Sequence, residues 1–234
     1  MQFNKRVLIK FSGEFINPNE KDSVIMLDFI QALKAVISKE VKVAIVVGGG
    51  NVIRGRNAKS LHLSQISVDH SGILATIING IVLRDILEQH HINCSLMSAK
   101  TIEGIVSGFH YLKACEILNN SRVLISAGGT GVPLITSDSA AALRAVELNI
   151  NCIVKISNID KVYDADPNLN HNAVSLKSIT LDYAIKNNLQ FMDREALSIC
   201  QRFGIKILVL KHDKIKYLPE ILSGSILNEG TWIH

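Results

Sequence analysis

Apolar residues in this chain follow two rhythms. Short unbroken runs, rich in β-branched residues, stand at Arg6–Lys10 (RVLIK), Val43–Val47 (VAIVV), Arg122–Ser126 (RVLIS), Cys152–Ile156 (CIVKI) and Lys206–Leu210 (KILVL). Such runs predict strands buried on both faces. Asn93–Met97 predicts a weaker strand, and Gly230–Ile233 (GTWI) a closing edge strand. Between the runs lie segments with helical spacing. Met26, Phe29, Ile30, Leu33 and Ile37 mark one that reaches Glu40. Others fall at about Asp69–Gln89, Leu112–Leu118, about Asp138–Leu148, Thr180–Lys186, Asp193–Phe203 and Tyr217–Leu222. Strand and helix in alternation predict βαβ units, hence an α/β fold with mainly parallel pairing. No Pro- or Ser-rich linker divides residues 1–234, which predicts a single domain.

The 69–89 segment departs from a simple amphipathic helix. Ile73, Leu74, Ile77, Ile78, Ile81, Val82, Leu83, Ile86 and Leu87 cover more than one face. It must be buried on two sides, between layers or at a subunit contact. Its most lipid-like part, Gly72–Leu83, is too short to span a bilayer and contains Thr76 and Asn79.

The net charge of +4 is mild, with Lys and Arg scattered, so nucleic acid is not an expected partner while a small anion is compatible. Cys94, Cys115, Cys152 and Cys200 lie far apart with no C-x-x-C pair, which predicts buried thiols in a reducing cytosol and no metal site. Met1–Ile9 leads into a strand and does not read as a signal peptide. The expectation is a soluble cytoplasmic protein with no membrane partner.

Chemistry concentrates where strands end. The run Val43–Val47 opens into Gly48, Gly49, Gly50 and Asn51, with Arg54 following. Glycines admit close approach to backbone N–H groups, and the Arg fork suits phosphate oxygens. A tight turn is the plainer reading of the same residues. Arg122–Ser126 opens likewise into Ala127, Gly128, Gly129, Thr130 and Gly131. Two such loops after parallel strands would face one sheet edge, where open α/β folds bind ligands. Neither loop is a Walker sequence or a G-x-G-x-x-G fingerprint. Lys10 ends the first strand beside Phe11, Ser12 and Gly13, and Lys155 stands inside CIVKI. A buried Lys needs an anion unless it snorkels to the surface. Asp69, and Ser137 or Asp138, stand at helix starts as N-caps or as ligand groups.

Taken in order, KFSGE (10–14), GGGNVIRG (48–55), DHSGILATIINGIVLRDIL (69–87), AGGTGVPLITSDSAAALRA (127–145) and KISNIDKVYDADP (155–167) resemble the bacterial-type uridylate kinases of the amino acid kinase superfamily. The resemblance implies a three-layer α/β/α sandwich around a mainly parallel sheet. It implies transfer of the γ-phosphoryl group of ATP to UMP, giving ADP and UDP, with Mg²⁺ accompanying ATP. By position, Lys10, Phe11, Ser12 and Gly13 would form a phosphate cradle for ATP, with Gly50 and Arg54 toward the transferred group. Gly49 would touch UMP and Asp69 its ribose. Thr130, Gly131, Val132, Pro133, Leu134, Ile135, Thr136 and Ser137 would wrap uracil and the acceptor phosphate. Ser157, Tyr163 and Asp166 would meet the nucleoside of ATP. Lys10, Arg54, Asp138 and Lys155 would be the catalytic set. A homohexamer built from dimers is implied as well. Alternatives are a kinase of the same fold acting on a carboxylate or carbamate, and a non-catalytic nucleotide- or oxyanion-binding relative.

Overall fold

In a computed structural model, residues 5–16, 20–51, 63–120, 123–165, 170, 172–226 and 228–234 are described. Five fully parallel neighbours form the heart of the sheet, and each is one of the β-branched runs or its partner. They are β1 (Arg6–Phe11), β2 (Lys42–Val47), β5 (Val123–Ala127), β6 (Cys152–Ser157) and β10 (Lys206–Lys211). Short strands β3 (Cys94–Ser98), β4 (Ser107–Gly108), β9 (Ser178–Ile179) and β11 (Thr231–Ile233) complete the sheet. The order is β4-β3-β5-β2-β1-β6-β10-β11-β9. Every pairing is parallel except β10 with β11. Strands β7 (Val162–Tyr163) and β8 (Ser175–Leu176) make a separate antiparallel ribbon.

Strand alternation divides the core between two faces. Val7, Ile9, Phe11, Val43, Ile45 and Val47 pack with helices α1 (Glu20–Ser38), α2 (Gln65–Gln89) and α7 (Leu218–Ser223). Phe11 and Phe29 stack there with ring centroids 4.4 Å apart. Leu8, Ala44, Val46 and Ile153 face the other way. They meet α3 (Tyr111–Asn119), α4 (Ser137–Glu147), α5 (Leu181–Lys186) and α6 (Arg194–Phe203). Helix, sheet and helix layers therefore match the expected three-layer sandwich. Gly204 closes α6 in the left-handed conformation, as its position predicts.

Four expectations are corrected. Gly230–Ile233 is not an edge strand, because β11 is flanked by β10 and β9. Helix α2 starts at Gln65 under a Ser64 cap, so Asp69 is not its N-cap but a residue of its second turn. Neither Ser137 nor Asp138 caps α4; the Thr136 side chain does, accepting from the Asp138 and Ser139 N–H groups. At 25 residues α2 is long and apolar enough to cross a membrane, contrary to the estimate from Gly72–Leu83. It instead packs along the sheet through Ala75, Ile77, Leu83 and Leu87 and buries the polar Thr76 and Asn79.

Candidate active site

Lys10 on β1 and Lys155 on β6 are directly opposite one another in the parallel register. Alternation places both on the face that receives α4 and α6. Each side chain is only 13% exposed, so like charges meet at close quarters in a poorly solvated place. That arrangement is unfavourable without an anion between them. Asp138, in the first turn of α4, supplies it. Its Oδ1 lies 3.2 Å from Lys10 Nζ, and its Oδ2 accepts from Lys155 Nζ at 2.5 Å. Lys155 also donates to the Phe191 carbonyl at 2.5 Å.

Burial would raise the Asp138 pKa, but the two ammonium groups outweigh it and hold the carboxyl below its ordinary value of 3.8. Burial pushes Lys155 below 10.5, with the nearby Lys10 charge adding to the effect and Asp138 opposing it. The charge of Asp193 opposes the lowering of Lys155 as well.

A second carboxylate locks the surroundings. Asp193 caps α6 by accepting from Ala196 N–H at 2.7 Å. It also accepts from the hydroxyls of Ser139, at 2.7 Å, and Thr136. One side chain thus ties the starts of α4 and α6 together and fixes Asp138 relative to Phe191. Sequence patterning puts Asp193 at the start of a helix, but shows neither its capping role nor its contacts 54 and 57 residues away.

Two clefts are lined by residues that adjoin this cluster. The first, about 220 Å³, is lined by Gly49, Gly50, Gln65, Val68, Asp69, Gly72, Ile73, Thr76, Gly129, Val132, Ile135 and Ser137. The second, about 720 Å³, runs along residues 158–165 and 187–191 with Lys211. Ser137, beside Asp138 in the chain, lines the first, and Phe191, the partner of Lys155, lines the second.

The expected site residues distribute as follows. Gly49, Asp69, Val132, Ile135 and Ser137 line the first cleft, and so does Gly50, which had been expected toward the donor. Asp69 accepts from the Leu134 N–H at 2.8 Å and from Gln65 at 2.8 Å. It thereby holds Leu134 in a left-handed conformation with φ of 69°. Thr130 accepts from Val132 N–H, whereas the Thr136 hydroxyl faces Asp193 rather than the cleft. Gly131, Pro133 and Leu134 complete the same loop. Tyr163 lines the second cleft, and Ser157 immediately precedes its first residues. Ser12 and Gly13 follow β1 beside Gly48, but the Phe11 side chain is wholly buried in the core, so only its backbone can serve a ligand. Arg54 and Asp166 lie outside the described residues. Missing from the expectation are Asp193, the 187–190 strip of the second cleft, and the α2 groups Thr76 and Asn79. Burial pushes the Cys94 thiol up to about 11 and those of Cys152 and Cys200 up to about 12, which keeps them unreactive.

A doubly wound parallel sheet carrying two glycine loops and a Lys–Asp–Lys cluster at one edge fits a phosphoryl-transfer fold. The Amino acid kinase family profile matches residues 5–211, and the chain belongs to that family. Its relatives are more particular. The uridylate kinase of Serratia proteamaculans is 34% identical over 232 residues, covering 98% of this chain and 95% of its own. The crystal structure of UMP kinase from Ureaplasma parvum superposes with a TM-score of 0.88 at 34% identity, covering 100% of this chain and 99% of that one. UMP kinase from Bacillus anthracis gives a TM-score of 0.90 at 28% identity, covering 98% and 96%.

Proposed function

We propose that this chain transfers the γ-phosphoryl group of ATP to UMP, with the Lys10–Asp138–Lys155 cluster at the point of transfer. The observation that carries the proposal is a buried Lys–Asp–Lys cluster whose chain neighbour Ser137 lines one cleft and whose hydrogen-bond partner Phe191 lines another. UMP occupies the first cleft, with its ribose toward Asp69 and its uracil under the 130–137 loop. ATP occupies the second, with its nucleoside near Ser157 and Tyr163 and its phosphates reaching Ser12 and Gly13. Arg54 and Asp166 join these two groups by sequence resemblance.

An oxygen of the UMP phosphate attacks the γ-phosphorus, the bond to the β-bridging oxygen breaks, and ADP leaves with the electron pair. The nucleophile needs no general base, since a phosphate monoester with second pKa near 6 is largely dianionic at neutral pH. Catalysis then rests on positioning and on neutralising charge spread over three oxygens. Lys10 and Lys155 provide that charge, and Asp138 keeps both pointed at one spot. Mg²⁺ arrives with the ATP phosphates. No cluster of three His, Cys, Asp or Glu side chains able to hold a metal occurs among the described residues, and Asp138 is already committed to two lysines.

The reading extends to pyrimidine nucleotide biosynthesis in the cytoplasm, and to a homo-oligomer, with a hexamer implied by the resemblance. In support of assembly, Leu74 and Ile78 on α2 are each 53% exposed and Val82 follows one turn on, an uncovered apolar stripe. ADP release measured with ATP and UMP, CMP or no acceptor tests the function. UMP-dependent release is expected; release driven only by a carboxylate or carbamate acceptor, or no release at all, would select one of the alternatives.

A further inference from the structure

Helix α2 crosses behind both glycine loops, and two of its polar side chains, three positions apart, end on loop backbone. Thr76, 6% exposed, accepts from the Gly128 N–H at 2.7 Å and gives its own proton to the Ile73 carbonyl at 2.7 Å. Asn79, 2% exposed, donates to the Gly48 carbonyl and to Asn51 Oδ1, both at 2.7 Å. Its own Oδ1 accepts from Asn51 Nδ2 at 3.0 Å. A buried amide on an apolar helix is tolerated only when its donors and acceptor are met. Here both hydrogens and the oxygen of Asn79 are used, and all serve the loop after β2.

The contacts leave no slack. A Cβ on Gly13 would come within 2.4 Å of Asn79 Nδ2 and of the Gly48 carbonyl. A Cβ on Gly49 would come within 2.7 Å of the Gly72 carbonyl of α2. The turns after β1, β2 and β5 are therefore gauged against one helix. Gly49, Gly50 and Gly129 from two of these turns line the first cleft.

We propose that Thr76 and Asn79 are positioning residues that fix the separation of the two glycine loops, and with it the approach of acceptor to donor. This rests on the phosphoryl-transfer reading above. Neither residue adds charge, so their effect falls on the geometry of transfer and not on the attraction of ATP. A misplacement of reacting atoms by about 1 Å can lower a rate by roughly 10²-fold.

The test uses the full-length protein with ATP and UMP. Thr76→Val keeps the shape but removes the acceptor; Thr76→Ser keeps the acceptor. The expected result for Thr76→Val is a kcat about 10- to 100-fold lower with the KM for ATP changed by less than about threefold. Thr76→Ser should restore kcat to within about threefold of the unaltered protein. Asn79→Leu should lower kcat in the same way, and if it fails to fold the Thr76 pair decides alone. Hydrogen exchange supplies a readout independent of turnover. Thr76→Val should speed exchange in residues 127–131 by about tenfold, the scale of one lost net hydrogen bond, while the core strands stay protected. Folded Thr76→Val protein with kcat within threefold of the unaltered protein, or with unchanged exchange at 127–131, overturns the proposal. If the unaltered protein shows no UMP-dependent ADP release, the functional reading fails separately, and the exchange measurement still decides whether α2 gauges the loops.

Discussion

Replacing Asp138 by Asn removes the one carboxylate that separates two lysines in register while keeping nearly the same shape. At an effective dielectric near 20, unit charges 3.2 and 2.5 Å apart attract by roughly 5 and 7 kcal/mol. Most of that offsets the cost of burying the ions, and losing one partner of a buried pair costs about 3–5 kcal/mol net. There is also a ceiling. Neutralising a lysine of ordinary pKa 10.5 at pH 7 costs about 5 kcal/mol, so the variant escapes any larger penalty by losing a proton. Lys155, already held down by burial, is the group that gives way. The variant should therefore fold, melt lower by roughly 6–20 °C, and have a kcat at least about 10²-fold lower at pH 7. The pH dependence carries a sign. Lys155 has a folded pKa below 10.5, so raising the pH toward 10.5 favours the fold while removing the charge that transfer needs. Asp138 has a folded pKa below 3.8, so its stabilisation is complete above 3.8 and lost as pH falls through the lower folded value. In Asp138→Asn the alkaline fall of kcat should move to lower pH by at least about one unit. Kinetics of ADP release between pH 6 and 10, with melting curves at each pH, measure all of this. A variant with kcat within threefold, the same melting temperature and the same alkaline limb would refute the reasoning.

Lys10→Ala should lower kcat by about 10²-fold, the scale of one preorganised electrostatic group. A raised KM for ATP with unchanged kcat would assign Lys10 to ground-state binding instead. Ile78→Asp puts a charge on the uncovered stripe of α2, and light scattering should show smaller particles with the melting temperature little altered; a monomeric unaltered protein at micromolar concentration would remove the premise. Val132 brings no polar side chain to the first cleft, and its N–H is tied to Thr130 Oγ1 at 3.3 Å. Selectivity then rests on loop backbone of fixed polarity, so Val132→Asn should change the UMP to CMP ratio of kcat/KM by less than about tenfold.

The central strands were legible because burial on both faces leaves an unbroken β-branched run, and only the register of two lysines needed the fold. RVLIK and CIVKI each look odd for holding a Lys; that the two are parallel neighbours depends on a crossover spanning more than half the sequence. Strands β4, β7, β8 and β9 have two residues each, too few for any periodicity. Helix α2 shows why an all-round apolar pattern predicts burial but not orientation. The pattern ranks its apolar residues alike, yet Ile77 is buried and Ile81 half-buried against the core, while Leu74 and Ile78 face out. The first turn of α2, Gln65–Val68, mixes two polar with two apolar residues, so the pattern points to Asp69 and misses the Ser64 cap. Asp193 and Phe191 escaped for a different reason: their roles are contacts between segments far apart in the chain, and one of them is a backbone carbonyl with no residue preference at all.

Charge and shape are handled by different parts of this molecule. The ammonium groups of Lys10 and Lys155 hang from adjacent central strands, whose spacing is set by ladder hydrogen bonds and cannot drift. In the proposed reading, recognition of the acceptor falls to loops, which lack that constraint and would be poor platforms for a reaction sensitive to ångström displacements. Their remedy is attachment. Asp193 ties the start of α4, and hence Asp138, to α6, while Asp69, Thr76 and Asn79 tie the acceptor loop and both glycine turns to α2. Helix α2 thus has one side fixed by the site and another left apolar at the surface. A partner covering that stripe would press on the same rigid element that gauges the glycine loops, so assembly and catalytic geometry share a helix.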